Sequence, residues 1–136
     1  MSVGAEDQRR RSNQWRAVVS ITLRALGIAD AESRPAARRV SEEAFTFLPD
    51  VGGVPGVHIK ASPIAWSRVS DYLNQAVLAA DENGAGDLPV LCMPRQDHES
   101  TESYVVMRLC DFAKLAMDAA KGRSQATDAD LASSEV

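Results

Sequence analysis

Leu48-Pro49-Asp50-Val51-Gly52-Gly53-Val54-Pro55-Gly56-Val57-His58-Ile59-Lys60-Ala61-Ser62 is the stretch on which the fold of this chain turns. Pro49-Asp50 and the Gly52-Gly53 pair are turn chemistry, and Pro55-Gly56 punctuates the entry into a β-type run, Val57 to Lys60. Side chains alternate along a strand, so Lys60 and Ser62 share one face. A carboxylate, Asp50, therefore stands a short turn away from a strand that ends in a charge and a hydroxyl.

Upstream, apolar residues at Trp15, Val18, Val19, Leu23 and Leu26 follow helical spacing, with Ser12 or Asn13 as the N-cap and Gly27 as the stop. Residues 1–11 read as a flexible basic arm. Ala36 to Phe47 holds two β-type pieces, around Arg38-Val40 and Ala44-Phe47. Downstream, Ser62-Pro63 has the form of an N-cap followed by a first-turn proline. The stripe Ile64, Trp66, Val69, Tyr72, Leu73, Ala76, Val77, Ala80 then predicts a second helix that ends before Asn83-Gly84. Leu88 to Met93 is nearly all apolar, as in a strand buried on both faces. A polar loop from Pro94 to Ser103 separates it from a strand at Tyr104–Leu109. Asp111 opens a last helix, well placed against its dipole. Residues 122–136 are small and polar and read as a disordered tail. The expected order is helix, three strands, helix, two strands, helix, which gives an α/β sandwich around a mixed sheet.

The chain has 136 residues, enough for a core without staples, and 45% hydrophobic with 25% charged residues is ordinary globular usage. No apolar run approaches the roughly 18–20 residues of a membrane span, and the first residues lack a signal-peptide stretch. The expectation is a cytoplasmic or virion-associated protein that makes no membrane contact. The only cysteines, Cys92 and Cys110, lack metal-type spacing and read as reduced core or near-core thiols. The net charge of -4 is unevenly spread. Residues 1–40 hold eight arginines against four acids, a local balance of +4, and the rest of the chain carries -8. A nucleic-acid partner would be met mainly by the N-terminal third, through Arg9, Arg10, Arg11, Arg38 and Arg39, with Arg95 as a downstream addition. Trp15 and Trp66 both fall on apolar stripes and read as core.

The ordered set Arg38-Arg39, Pro49-Asp50-Val51, Val54-Pro55-Gly56-Val57-His58-Ile59, Trp66, Gln75-Ala76, Leu88-Pro89-Val90, Arg95 and Met107-Arg108-Leu109-Cys110-Asp111-Phe112 resembles a known family. These are the small phage-encoded PD-(D/E)XK nucleases, often described as Holliday junction resolvase-like, and the similarity spans about residues 14–118. The resemblance implies a restriction-endonuclease-like αβββαβ core over residues 12–121, with a central mixed sheet flanked by helices. In that family the Asp and a strand Glu bind Mg²⁺, and the Lys positions or activates the attacking water. Carried across, Asp50 keeps the Asp position, Lys60 stands at the Glu position and Ser62 at the Lys position. Gln75 matches a helix glutamine that lines such sites. Replacing a ligating glutamate by lysine moves the local charge by two units and weakens divalent binding.

Two readings follow. In the first, catalysis is lost and the protein is a DNA-binding, protein-binding or structural module of phage origin. In that case Lys60 pairs with Asp50 and Ser62 caps the second helix. In the second, an active Mg²⁺-dependent endonuclease keeps Asp50 as a ligand and Lys60 as the catalytic lysine. A displaced carboxylate then completes the metal site, with Glu43 the favoured candidate and Glu42 and Asp71 the others. Either reading is compatible with a homodimer. His58 reads as a structural histidine and not as a ligand.

Overall fold

The computed structural model describes residues 3–34 and 48–134. The described residues form an α/β structure with three helices and a five-stranded mixed sheet. The elements in order are α1 (Val3–Ala25), β1 (Glu32–Ser33), β2 (Val51–Gly52), β3 (Val57–Ala61), α2 (Val69–Asn83), β4 (Leu88–Met93), β5 (Tyr104–Val106) and α3 (Leu109–Ser134). Spatial order follows chain order, β1 to β5. Only β3 and β4 run parallel, joined by the α2 crossover, and every other neighbouring pair is antiparallel.

The α/β class and the mixed sheet agree with the sequence reading, and the strands before α2 fall elsewhere than expected. The two β-type pieces expected between Ala36 and Phe47, together with Arg38, Arg39, Glu42 and Glu43, lie outside the described residues. The first two strands among the described residues are instead Glu32–Ser33 and Val51–Gly52, the latter inside the expected turn. The basic arm is a correction: α1 begins at Val3 and carries Arg9, Arg10 and Arg11. Ala5, Glu6, Gln8 and the three arginines are good helix formers, so this part needs no apolar stripe. Glu6 sits in the first turn, where the dipole favours an acid, and Asp7 pairs with Arg10. The tail is a second correction, since α3 runs through Gly122 to Ser134. One mid-helix glycine costs only ~1 kcal/mol, and Lys121, Arg123 and Gln125 around it are good helix formers.

The core beneath α1 follows from strand alternation. Val57, Ile59 and Ala61 of β3 turn one way and meet Trp15 and Val19 of α1, together with Ala31, Val51, Val90 and Cys92. The indole N–H of Trp15 donates to the Cys92 carbonyl at 3.0 Å, so the polar edge of this buried ring is satisfied. α1 stops at Gly27, whose φ of +112° lets the Ile28 amide reach back to the Leu23 carbonyl at 2.9 Å. The alternate residues of the strands, among them Leu91 and Met93, are buried on the side where α2 packs on β3 and β4 through Ala76, Ala79 and Ala80. β4 is buried along nearly its whole length, as its apolar run predicts.

Gly53 has no substitute. With φ at +74°, a Cβ there would lie 1.8 Å from the Asp30 carbonyl oxygen. This close approach brings the loop after α1 against the β2 turn and so fixes where Asp50 sits. Among the described residues α3 lacks the extensive packing on the sheet that α1 and α2 have, and it leaves Leu109, Phe112, Leu115 and Met117 exposed. Among the described residues no helix is long and apolar enough to cross a membrane.

Candidate functional site

Asp50 is held from four directions. Its amide donates to the Ile59 carbonyl at 2.7 Å, and its carbonyl accepts from the Arg34 amide at 2.8 Å. One carboxylate oxygen, Oδ2, accepts the Ala61 amide at 2.9 Å, and the other, Oδ1, pairs with Nη2 of Arg16 at 3.1 Å. Arg16 in turn donates Nη1 to the Arg34 carbonyl at 2.9 Å. The side chains of the Arg16–Asp50 pair keep only 14% and 12% of their exposure, so the pair is held in low dielectric with good geometry. Asp50 thereby ties α1, β1 and β3 together. It is a structural hub first, and neither carboxylate oxygen is left facing open solvent without a partner.

Lys60 does not pair with Asp50, which corrects the salt bridge expected from the sequence. Strand alternation turns Lys60 away from the α1 side, and its Nζ lies over the Tyr72 ring of α2, 5.3 Å from the centroid. Burial lowers the Lys60 pKa, the Arg16 guanidinium adds to the effect, and Asp50 opposes it from a distance. Ser62 does not cap α2, and this too is a correction. Its amide continues the β3–β4 ladder by donating to the Cys92 carbonyl at 3.2 Å. The chain is still extended at Ala65, a short 3-10 turn spans Trp66–Arg68, and α2 begins only at Val69. A residue still engaged in a strand ladder cannot be the cap of a helix that starts seven residues later. Ser62 is buried and lies on the strand side of the crossover.

The remaining predicted residues scatter. Gln75 is exposed on α2, and Asp71 is exposed and pairs with Arg68 at 3.7 Å, so neither is gathered with Asp50. Glu43, Arg38 and Arg39 lie outside the described residues. Arg9, Arg10 and Arg11 lie along the first turns of α1, where Arg10 is already taken by Asp7. Among the described residues there is no group of three or more His, Cys, Asp or Glu side chains placed to hold a metal ion. His58 is 2% exposed with its Nδ1 unpartnered, and burial lowers its pKa against the opposing pull of Asp50 and Asp87. Burial pushes the Cys92 thiol up to about 12, whereas Cys110 is exposed.

A second constellation was not anticipated. Trp66, read as core, is 62% exposed. Its ring centroid lies 5.3 Å from that of Tyr104, with the planes tilted by 58°, and the Arg95 guanidinium sits 5.5 Å from the Tyr104 centroid. Beside it, Arg68 joins Lys60 on Tyr72 at 5.5 Å. The two sets are joined by the single turn Trp66–Arg68. They gather where β3 and β4 end, since Tyr104 pairs in register with Met93, the last residue of β4. The carboxyl end of parallel strands is where open α/β sheets habitually place ligands. The late start of α2 explains the missed Trp66, because the helical stripe that made it look like core does not extend back to it.

No family model matches the chain, and no curated protein or solved structure does either.

Proposed function

We propose that this chain is a non-catalytic descendant of the PD-(D/E)XK nuclease fold, of phage origin, that works as a DNA-binding module. The ancestry rests on the ordered set of motifs, and the α-β-β-β-α-β-β-α succession around a mixed sheet supports a restriction-endonuclease-like core. The observation that carries the loss of catalysis is the occupation of Asp50. A metal ligand must offer its lone pairs to the ion. Here one oxygen already accepts a backbone amide and the other already pairs with a guanidinium that α1 brings in. A divalent cation at Asp50 would meet the positive charge of Arg16 at ion-pair distance, and Lys60, turned onto Tyr72, brings no ligand carboxylate to the site. Binding replaces catalysis in this reading, and the cations held on aromatic faces at the end of the sheet are its natural contacts. A homodimer and a place in a phage assembly belong to the same proposal.

The test is incubation of the full chain with a labelled four-way DNA junction in Mg²⁺ or Mn²⁺. The expected result is binding without divalent-dependent cleavage, with Asp50→Ala lowering the melting temperature. Cleavage that Asp50→Ala abolishes would restore the alternative, an active Mg²⁺-dependent resolvase-like endonuclease with a displaced ligand such as Glu43. Light scattering on the same preparation gives the oligomeric state.

A further inference from the structure

We infer that Trp66, Tyr104 and Arg95, flanked by Arg68 and Lys60, form a stacking platform for single-stranded nucleic acid. The inference rests on the nucleic-acid part of the function proposed above and not on the nuclease ancestry. Isolated exposed apolar side chains are ordinary on protein surfaces, but a half-exposed Trp–Tyr pair with a guanidinium seated on it is not isolated. Trp66 leaves 62% of its surface in water and Tyr104 leaves 37%, so both rings still have area to offer a partner. Among the described residues neither Arg95 nor Lys60 forms an ion pair, and each is positioned by an aromatic face instead. Such cations are held in place with their charge unspent. Arg68 is shared between Tyr72 and a loose, exposed contact with Asp71.

The choice of a single strand over a duplex follows from charge. Residues beyond 40 carry a balance of -8, and Asp97, Glu99 and Glu102 stand exposed in the loop that leads to Tyr104. Three cations in that setting give at most about three phosphate contacts, too few for the strongly salt-dependent hold that duplex binders draw from the backbone. Stacking supplies what charge does not, since every base has a face to offer, but a duplex hides those faces inside its own stack. The Arg9-Arg10-Arg11 run of α1 lacks this combination: its nearest aromatic residue in the helix, Trp15, is buried.

The experiment is fluorescence anisotropy with labelled 12-nucleotide poly(dT) and poly(U), a matched 12-base-pair duplex and a four-way junction, each titrated with the full chain. Single strands are expected to bind more tightly than the duplex, and the dT and U arms separate DNA from RNA preference. Trp66→Ala is expected to weaken single-strand binding about tenfold or more, with Trp66→Phe recovering most of the loss. Arg95→Ala should lower the slope of log affinity against log salt by somewhat under one. Circular dichroism of each variant confirms that the fold is intact. Junction or duplex binding that exceeds single-strand binding and ignores Trp66→Ala would overturn the platform while leaving the DNA-binding function standing. Absence of binding to all four probes would overturn both. Cleavage of the junction would overturn only the non-catalytic reading.

Discussion

The face of the sheet beneath α1 and the carboxyl end of the β3–β4 pair treat charge in opposite ways. Beneath α1 the one carboxylate and its guanidinium satisfy each other, the surrounding side chains are buried, and the polar edge of Trp15 is capped by a carbonyl. At the strand ends the cations face aromatic rings and water, and the largest aromatic of the region stands open. Asp50 and Lys60, which the PD-(D/E)XK layout would place in one site, fall on either side of this divide. The difference separates what holds the fold from what is free to bind. Substitutions on the first face should cost stability, and substitutions at the second should cost contacts with a partner.

Trp15→Ala is the harshest test of the closed face. It removes a ring that is 9% exposed and takes one of the two donors from the Cys92 carbonyl, which keeps the Ser62 amide. The loss expected in chemical denaturation is about 3–5 kcal/mol, the range for large aromatic-to-alanine changes in a core. A loss below ~1 kcal/mol would mean that the face is not closed as described.

The Arg16–Asp50 pair comes next. Asp50→Ala takes the counter-charge from the largely buried Arg16 guanidinium and the acceptor from the Ala61 amide, at a cost on the order of 3 kcal/mol. Asp50→Ala combined with Arg16→Met should cost clearly less than the sum of the two, with a coupling of about 1–3 kcal/mol in a double-mutant cycle. Strict additivity would show that the two charges do not depend on each other.

What the sequence disclosed follows the range of each signal. Gly27, the apolar run Leu88–Met93 and the Asn83-Gly84 stop are local features, and the structure places element ends or a buried strand at each. Signals that needed a distant partner were invisible or misleading. Nothing near Arg16 in the sequence announces Asp50 as its counter-ion. Ser62-Pro63 carries the local chemistry of a helix start, yet the Ser62 amide is claimed by the Cys92 carbonyl of a strand far along the chain. The chain stays extended through Ala65, α2 starts only at Val69, and Trp66 lies outside the helical stripe that made it look like core. Arg95 was read as a phosphate contact, but its seat on Tyr104 depends on the antiparallel register of β4 and β5, which composition does not reveal. In α1 the arginine-rich start has no stripe to read, because propensity and one i,i+3 pair suffice.

His58 probes the boundary between the two regions. It is buried on the same alternation as Lys60, with Asp50, Asp87, Lys60 and Arg34 close enough to influence it electrically. Its folded pKa lies below the ordinary 6.5, chiefly through burial. Between those two values the unfolded chain binds more protons than the folded one, so stability falls as pH drops below about 6.5 and levels off once pH is under the folded pKa. His58→Gln should flatten the slope of unfolding free energy between pH 5 and pH 7. An unchanged slope in the variant would place the pH dependence elsewhere.

The smallest stability effect belongs to Trp66, and its smallness is informative. A tryptophan in a core and a tryptophan on a surface have the same composition and lose the same atoms on truncation, but only the buried one had removed those atoms from water. Trp66→Ala gives up a partial contact with Tyr104 and little burial, so the melting free energy should change by no more than about 0.5 kcal/mol. Tyr104 is 37% exposed and pairs with Met93 through its backbone, which alanine retains, so Tyr104→Ala should stay below about 1 kcal/mol. A loss of 2 kcal/mol or more at Trp66 would show that the ring is packed in solution. The open end of the sheet would then be a second closed face, and the division of labour between the two regions would fail at the residue that defines it.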